Sequence, residues 1–303
     1  MKRVFLLIAT NFAVLLLLGI VMQLFGIDEW LASRGWDYQS VLVISALFGF
    51  GGAFISLLMS KVMAKATMGV QVISQPANEA QQWLVNTVRQ HAQKAGIGMP
   101  EVGVFESPEP NAFATGANRN AALVAVSTGL LYNMRRDEVE AVLGHEVSHV
   151  ANGDMVTLTL LQGVLNTFVI FLSRIIGGLI DSVMRGNDEE ESQAGGMGYF
   201  VIVMVLQLLF GFLASLIVAW FSRQREFRAD AGGADLAGTR AMIGALEALK
   251  RVHSPSRLPK SMQAFGINGE RAHALQRLLM SHPPLDERIA ALEQRTAALG
   301  RPS

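Results

Sequence analysis

Residues 137–154 read DEVEAVLGHEVSHVANGD and run without a break into residues 155–173, MVTLTLLQGVLNTFVIFLS. The first stretch has the pattern of a helix opened by Asp137. Val139, Val142, Leu143, Val147 and Val150 form a broad apolar set, and Asn152-Gly153 is a C-terminal stop. His145 and His149 stand at i and i+4, which puts both imidazoles on one helical face. Two histidines so placed can grip one ion from the same side, and Glu146 can lean over it as a base. The second stretch carries no charge and is long enough to be read as a membrane span.

Composition widens that reading. Apolar residues make up 51% of the 303, charged residues only 17%, and mean hydropathy is +0.34. Three further uncharged stretches have spanning length: Val4 to Phe25, Tyr38 to Ser60 and Tyr199 to Ser222. A helix needs about 20 such residues to cross a bilayer. The stretch from Met155 continues past Arg174 to Ile180, so Asn166 and Arg174 must face protein or snorkel toward headgroups. The first stretch is expected to stay as an anchor rather than be cleaved, because it is long and no small-x-small site follows it.

Basic residues set the orientation. Lys2 and Arg3 precede the first span, Lys61 and Lys65 follow the second, and Arg223, Arg225 and Arg228 follow the fourth. The loops on the other side are acidic, with Asp28, Glu29 and Asp37 against Arg34 in one and Asp181 with Asp188 to Glu191 against Arg185 in the other. The positive-inside rule then places both termini in the cytoplasm. Trp30 and Trp36 flank the short loop between the first two spans and fit an interfacial belt. With 25 basic against 25 acidic residues the chain has no nucleic-acid footprint. It has no cysteine, which excludes disulfides and thiolate metal sites, so any ion must be held by nitrogen and oxygen.

Four regions follow: residues 1–65 with the first two spans (4–25, 38–60), a cytoplasmic α+β unit at 66–154, the third and fourth segments at 155–222 (155–180, 199–222), and a cytoplasmic helical region at 223–303. Within the α+β unit, Pro76 to Lys94 has helical spacing and stops at Gly96. Glu101 to Glu106 and Ala122 to Ser127 read as strands, and Asn111 to Thr115 as an edge or exposed strand. Past the fourth span, helical patterns run from Glu226, over Thr239–His253, over Gly269–Met280 and over Leu285–Leu299. Ser254 to Lys260 reads as a loop. His91, His253 and His273 have no partner pattern and read as surface or helix-face residues.

A catalytic zinc takes three protein ligands and keeps one position open. If the third and fourth segments form a hairpin, the chain returns to the same face near Ser222. The first carboxylate it then offers is Glu226, with Asp230 one turn on. Glu226 can complete the site, and Asp230 can orient a histidine from behind. Alternatively both balance Arg223, Arg225 and Arg228 at the membrane surface.

HEVSH, two apolar segments and then Glu226-Phe227-Arg228-Ala229-Asp230 resemble the HtpX family of bacterial membrane metalloproteases, relatives of the CAAX prenyl endopeptidases. The resemblance extends to the N-terminal spans, to Asn111–Gly116 (NAFATG), and to Ser281-His282-Pro283-Pro284 with Arg288. It implies that His145, His149 and Glu226 bind one zinc, that Glu146 is the general base, and that Asp230 supports a ligand. It also implies that the segment at Asn111 holds an extended substrate by main-chain hydrogen bonds. His282, aimed by the two prolines after it, is then a donor to the developing oxyanion.

The expected fold is a mainly α integral membrane protein with a small α+β metallopeptidase unit of HExxH zincin, gluzincin-like type. The expected activity is that of a zinc endopeptidase in a bacterial inner membrane, cutting membrane or misfolded proteins at the cytoplasmic face. The resemblance alone suggests a role in quality control and stress response. Its partners would be protein substrates and the lipid bilayer, with no nucleic acid. A narrower maturation protease, cutting near lipidated C-termini, is a second enzymatic reading. A scaffold with structural zinc is a third, and Glu146 speaks against it because a structural site needs no carboxylate there. Zinc is the default for this ligand set, although affinity alone does not exclude other divalent ions.

Overall fold

A computed structural model describes residues 37–185, 197–253 and 280–299, together with 20, 23 and 24. The stretch Val4–Phe25 therefore lies almost wholly outside the described residues, as do Trp30, Trp36, His273, the segment read at Ser254–Lys260 and all but Met280 of the one read at Gly269–Met280. The chain divides into two compact units, Met1–Ser56 with Val156–Val218 and Leu57–Met155 with Ala219–Ser303.

Among the described residues three helices are long and apolar enough to cross a membrane: α1 (Tyr38–Met68), α5 (Asp154–Arg185) and α6 (Met197–Ala237). In the first unit α1 and α5 pack around Phe171 and Ile175, joined by Val41 and Leu42. Their backbones also meet closely: a Cβ built on Gly49 would lie 2.5 Å from Thr167 Oγ1. Small residues let spanning helices approach where lipid offers no hydrophobic drive. Arg174 is half-buried, whereas Asn166 is exposed. The apolar stretch of α6 is only 6% buried, so Phe200, Leu208 and Leu213 face outward, as a lipid surround requires.

The second unit is built on a four-stranded sheet in the order β1-β2-β4-β3. β1 (Gln71–Val72) pairs antiparallel with β2 (Glu101–Phe105), β2 parallel with β4 (Leu123–Ser127), and β3 (Ala112–Thr115) antiparallel with β4. Every residue of β4 is buried, which explains its run of apolar residues. β3 forms one edge of the sheet. α2 (Glu79–Ala95) starts three residues after Pro76, because Asn78 caps it by accepting from Gln81 N at 2.9 Å; Gly96 ends it at φ 63°.

α3 (Thr128–Asn133) leads to α4 (Arg136–Asn152), the helix of HEVSH. Glu138 reaches back to Arg135 N at 2.8 Å, so α4 begins one residue before Asp137. Leu84 and Val88 of α2, Val124 and Val126 of β4, and Val139, Leu143 and Val147 of α4 share one core. Leu246 of α7 (Thr239–His253) completes it. α8 (Leu285–Leu299) packs on α7.

Two sequence expectations change here. No helix begins at Glu226; it lies within α6, which continues from the apolar stretch to Ala237. His91 is not a surface residue. It is buried between α2 and α4, its Nε2 donating to the Glu140 carbonyl at 3.0 Å.

Candidate metal centre

α4 and α6 cross where neither has a side chain. A Cβ on Gly144 would lie 3.3 Å from the Gly233 carbonyl oxygen, and one on Gly233 3.0 Å from His145 N. A Cβ on Gly232 would lie 2.5 Å from Ser148 Oγ, which is tied to the Gly144 carbonyl at 2.7 Å. Three glycines thus let the two helices approach so closely that Glu226 reaches the histidine face of α4.

His145, His149 and Glu226 offer three ligand atoms within 4.8 Å of one another. The two Nε2 atoms are 3.1 Å apart. His149 Nε2 lies 3.3 Å from Glu226 Oε1, and His145 Nε2 lies 3.6 Å from Oε2. Tetrahedral ligands held about 2.05 Å from a zinc ion would be separated by about 3.3 Å, so the set has the right size. Its chemistry fits as well. Each histidine has a carboxylate at Nδ1: Asp230 at 2.9 Å for His145 and Asp154 at 2.7 Å for His149. A carboxylate only accepts, so Nδ1 carries the proton and both Nε2 lone pairs converge. Glu226 Oε2 is buried with no aligned hydrogen bond, although His282 Nδ1 lies at 2.8 Å and Arg288 Nη1 at 3.3 Å.

The electrostatics favour a cation. Asp154, Glu226 and Asp230 are three buried carboxylates against two buried guanidiniums, Arg225 and Arg288. Burial opposes charge on His149, yet Asp154 and Glu226 outweigh it and push its pKa up to about 10. His145 is raised likewise, against burial, by Asp230 and Glu226. Burial would raise Glu226, but His145, His149 and His282 hold its carboxyl well below the ordinary range. Imidazoles drawn toward the charged form by surrounding carboxylates mark a place where positive charge is wanted.

A cavity of about 470 Å³ opens beside this cluster, lined on its polar side by Asn111, His145, Glu146, Glu226, His282 and Arg288. Its apolar wall includes Val142, Met242, Leu246 and Leu249. Of the site residues singled out from the sequence, Asn111, His145, Glu146, Glu226 and His282 line this space, Asp230 stands behind His145, and His149 joins through the ligand cluster. Asn111 heads β3, its N–H donating to Ser127 Oγ at 2.9 Å. The His282 side chain is 63% exposed, at the lip. Sequence reasoning missed Asp154 and Arg225 and gave Arg288 no contact to make. Arg225 Nη1 donates to the Asp154 carbonyl at 3.1 Å.

A model of peptidase family M48 matches residues 78–296. Together with the helices of spanning length, this makes the molecule a multi-pass membrane metalloprotease. The chain belongs to peptidase family M48. It is 61% identical to Protease HtpX of Tolumonas auensis, over 97% of this chain and 99% of that one. It is 58% identical to Protease HtpX of Thioalkalivibrio sulfidiphilus, over 97% and 99%. Among solved structures it resembles Ste24p of S. mikatae in fold, with a TM-score of 0.59 at 18% identity. That likeness covers 97% of this chain and 67% of the other.

Proposed function

We propose that the chain is a zinc-dependent endopeptidase acting on membrane or misfolded proteins at the cytoplasmic face of a bacterial inner membrane. The observation that carries this is the convergence of His145, His149 and Glu226 beside Glu146, in a cavity that also reaches Asn111 at the head of an edge strand. His145, His149 and Glu226 hold the zinc, and Asp230 steadies His145. A zinc ion bound there would polarise the scissile carbonyl and make a water acidic enough to attack near neutral pH. Glu146 takes the proton from that water on a carboxylate oxygen and hands it to the leaving amine nitrogen. The free edge of β3, from Asn111 onward, holds the substrate extended by main-chain hydrogen bonds. His282 donates a ring N–H to the oxygen that becomes negative as the carbonyl carbon turns tetrahedral.

The cytoplasmic assignment rests on the basic flanks at Lys61, Lys65, Arg223, Arg225 and Arg228 against the acidic loop after Asp181. The quality-control role rests on the resemblance to the HtpX family. The deciding experiment uses Glu146→Gln in the full-length protein in detergent. It is expected to retain zinc and to cut casein at least about a hundredfold more slowly. Cleavage at the parent rate would overturn the assignment of the base. Activity untouched by a strong chelator would overturn the metal.

A further inference from the structure

We infer that Asp154 is a positioning residue that holds His149 with its side chain and the segment of Glu226 with its main chain. The inference rests on the zinc reading of the site.

The chain sets this up with a single glycine. α4 ends at Asn152, and Gly153 takes φ 69°, its N–H reaching back toward the His149 and Val150 carbonyls. That left-handed residue ends α4, so the next residue opens α5 while its carboxylate reaches His149 in the last turn of α4. Asp154 Oδ2 accepts the His149 Nδ1 proton at 2.7 Å. The carboxylate is buried, and its other oxygen has Arg228 Nη2 at 3.8 Å.

The Asp154 carbonyl has a separate task. It accepts from Arg225 Nη1 at 3.1 Å, and Arg225 Nη2 donates in turn to Ser222 Oγ at 2.9 Å. Arg225 is buried and adjoins Glu226 in α6. One residue therefore fixes the ring of one ligand and the stretch of helix that delivers another. The two histidines are also backed differently. Asp230 is gripped by Arg288, whereas the Asp154 carboxylate has, among the arginines and lysines of the described residues, the half-exposed Arg228 3.8 Å from its other oxygen. A carboxylate behind a histidine fixes its tautomer and raises its basicity toward a metal, and its loss typically weakens metal affinity 10–100-fold.

The test measures zinc affinity, by competition with a chromophoric chelator, on the full-length protein in detergent carrying Glu146→Gln to prevent self-cleavage. Asp154→Ala is expected to weaken zinc about 10–100-fold and to shift the visible spectrum of the cobalt-substituted protein. Asp154→Asn keeps an oxygen that accepts from Nδ1–H, so it should restore part of the affinity; it also serves if the alanine variant does not fold. A Kd for Asp154→Ala within twofold of its parent, or an asparagine variant no better than alanine, would overturn the assignment. Glu226→Ala separates the two levels of inference. If it leaves zinc binding unchanged, the site itself has been misread. If it abolishes binding while Asp154→Ala does not weaken it, only the role of Asp154 falls.

Discussion

Arg288 grips both carboxylate oxygens of Asp230, Nε at 2.8 Å from Oδ2 and Nη2 at 2.5 Å from Oδ1, while its Nη1 stands 3.3 Å from Glu226 Oε2. All three side chains are buried. Arg288→Ala would strand two carboxylates in a low-dielectric interior, which typically costs about 3–5 kcal/mol. Thermal unfolding in detergent should show that loss. Arg288→Lys should fall between, since lysine keeps the charge but not the planar fork. An alanine variant as stable as its parent would contradict this.

The crossing of α4 and α6 predicts a steric effect. Gly232→Ala puts a methyl 2.5 Å from Ser148 Oγ and 2.8 Å from its Cβ, and the hydroxyl is committed to the Gly144 carbonyl. Overpacking of this kind costs about 1–3 kcal/mol. Because the helices it separates carry the histidines and Glu226, zinc affinity should drop together with the melting temperature. Gly51→Ala, where a Cβ meets nothing within 4 Å, is the control.

The apolar wall of the cavity predicts a cleavage preference. Val142, Met242, Leu246 and Leu249 suit a large apolar side chain next to the scissile bond. Leu249→Asp should lower kcat/KM for peptides carrying leucine or phenylalanine there by about 10–200-fold, with zinc content unchanged. Kinetics on a peptide series that varies only that position would decide it.

His91 predicts a pH dependence. Burial lowers its pKa from the ordinary 6.5, against the pull of the Glu140 carbonyl; Nε2 carries the proton and the buried Nδ1 has no partner among the described residues. The unfolded chain thus takes up this proton first as pH falls. The stability at stake is full above 6.5 and is lost as pH drops through the lowered folded value. His91→Gln, which can still donate to the carbonyl, should flatten the decline in melting temperature as pH falls below 6.5. An unchanged slope would show that other groups carry it.

Orientation can be read with introduced cysteines, since the chain has none of its own. Ser182→Cys should react with an impermeant maleimide added outside spheroplasts. Glu293→Cys should react only after permeabilisation. The reverse pattern would invert the topology proposed from the basic flanks.

The sequence revealed some of these features and hid others, for physical reasons. HEVSH was legible because a helix converts the spacing of His145 and His149 directly into a shared face. Glu226 was reachable by asking where the chain must return after two apolar segments. Asp154 was not, although Gly153 plainly signalled a stop. A stop says that the chain turns; it does not say which way the next side chain points. Arg288 lies 58 residues beyond Asp230, with no local pattern to join them. His91 was misjudged because its partner is a main-chain carbonyl, which no letter of the sequence records. The extent of α6 was misjudged because arginines after an apolar run mark a headgroup boundary without ending a helix.

The glycine crossing also bears on which ions can enter. At Gly144 and Gly233 the main chains of α4 and α6 lie nearly against each other, which leaves Glu226 Oε1 and Oε2 3.3 and 3.6 Å from the histidine nitrogens of α4. Calcium takes six or more oxygens, so it would need several ligands beyond these three, two of which are imidazole nitrogens. Admitting further ligands between the helices would mean parting two main chains that already approach closely. The absence of three side chains therefore limits how many ligands the site can recruit, and that number separates the ions.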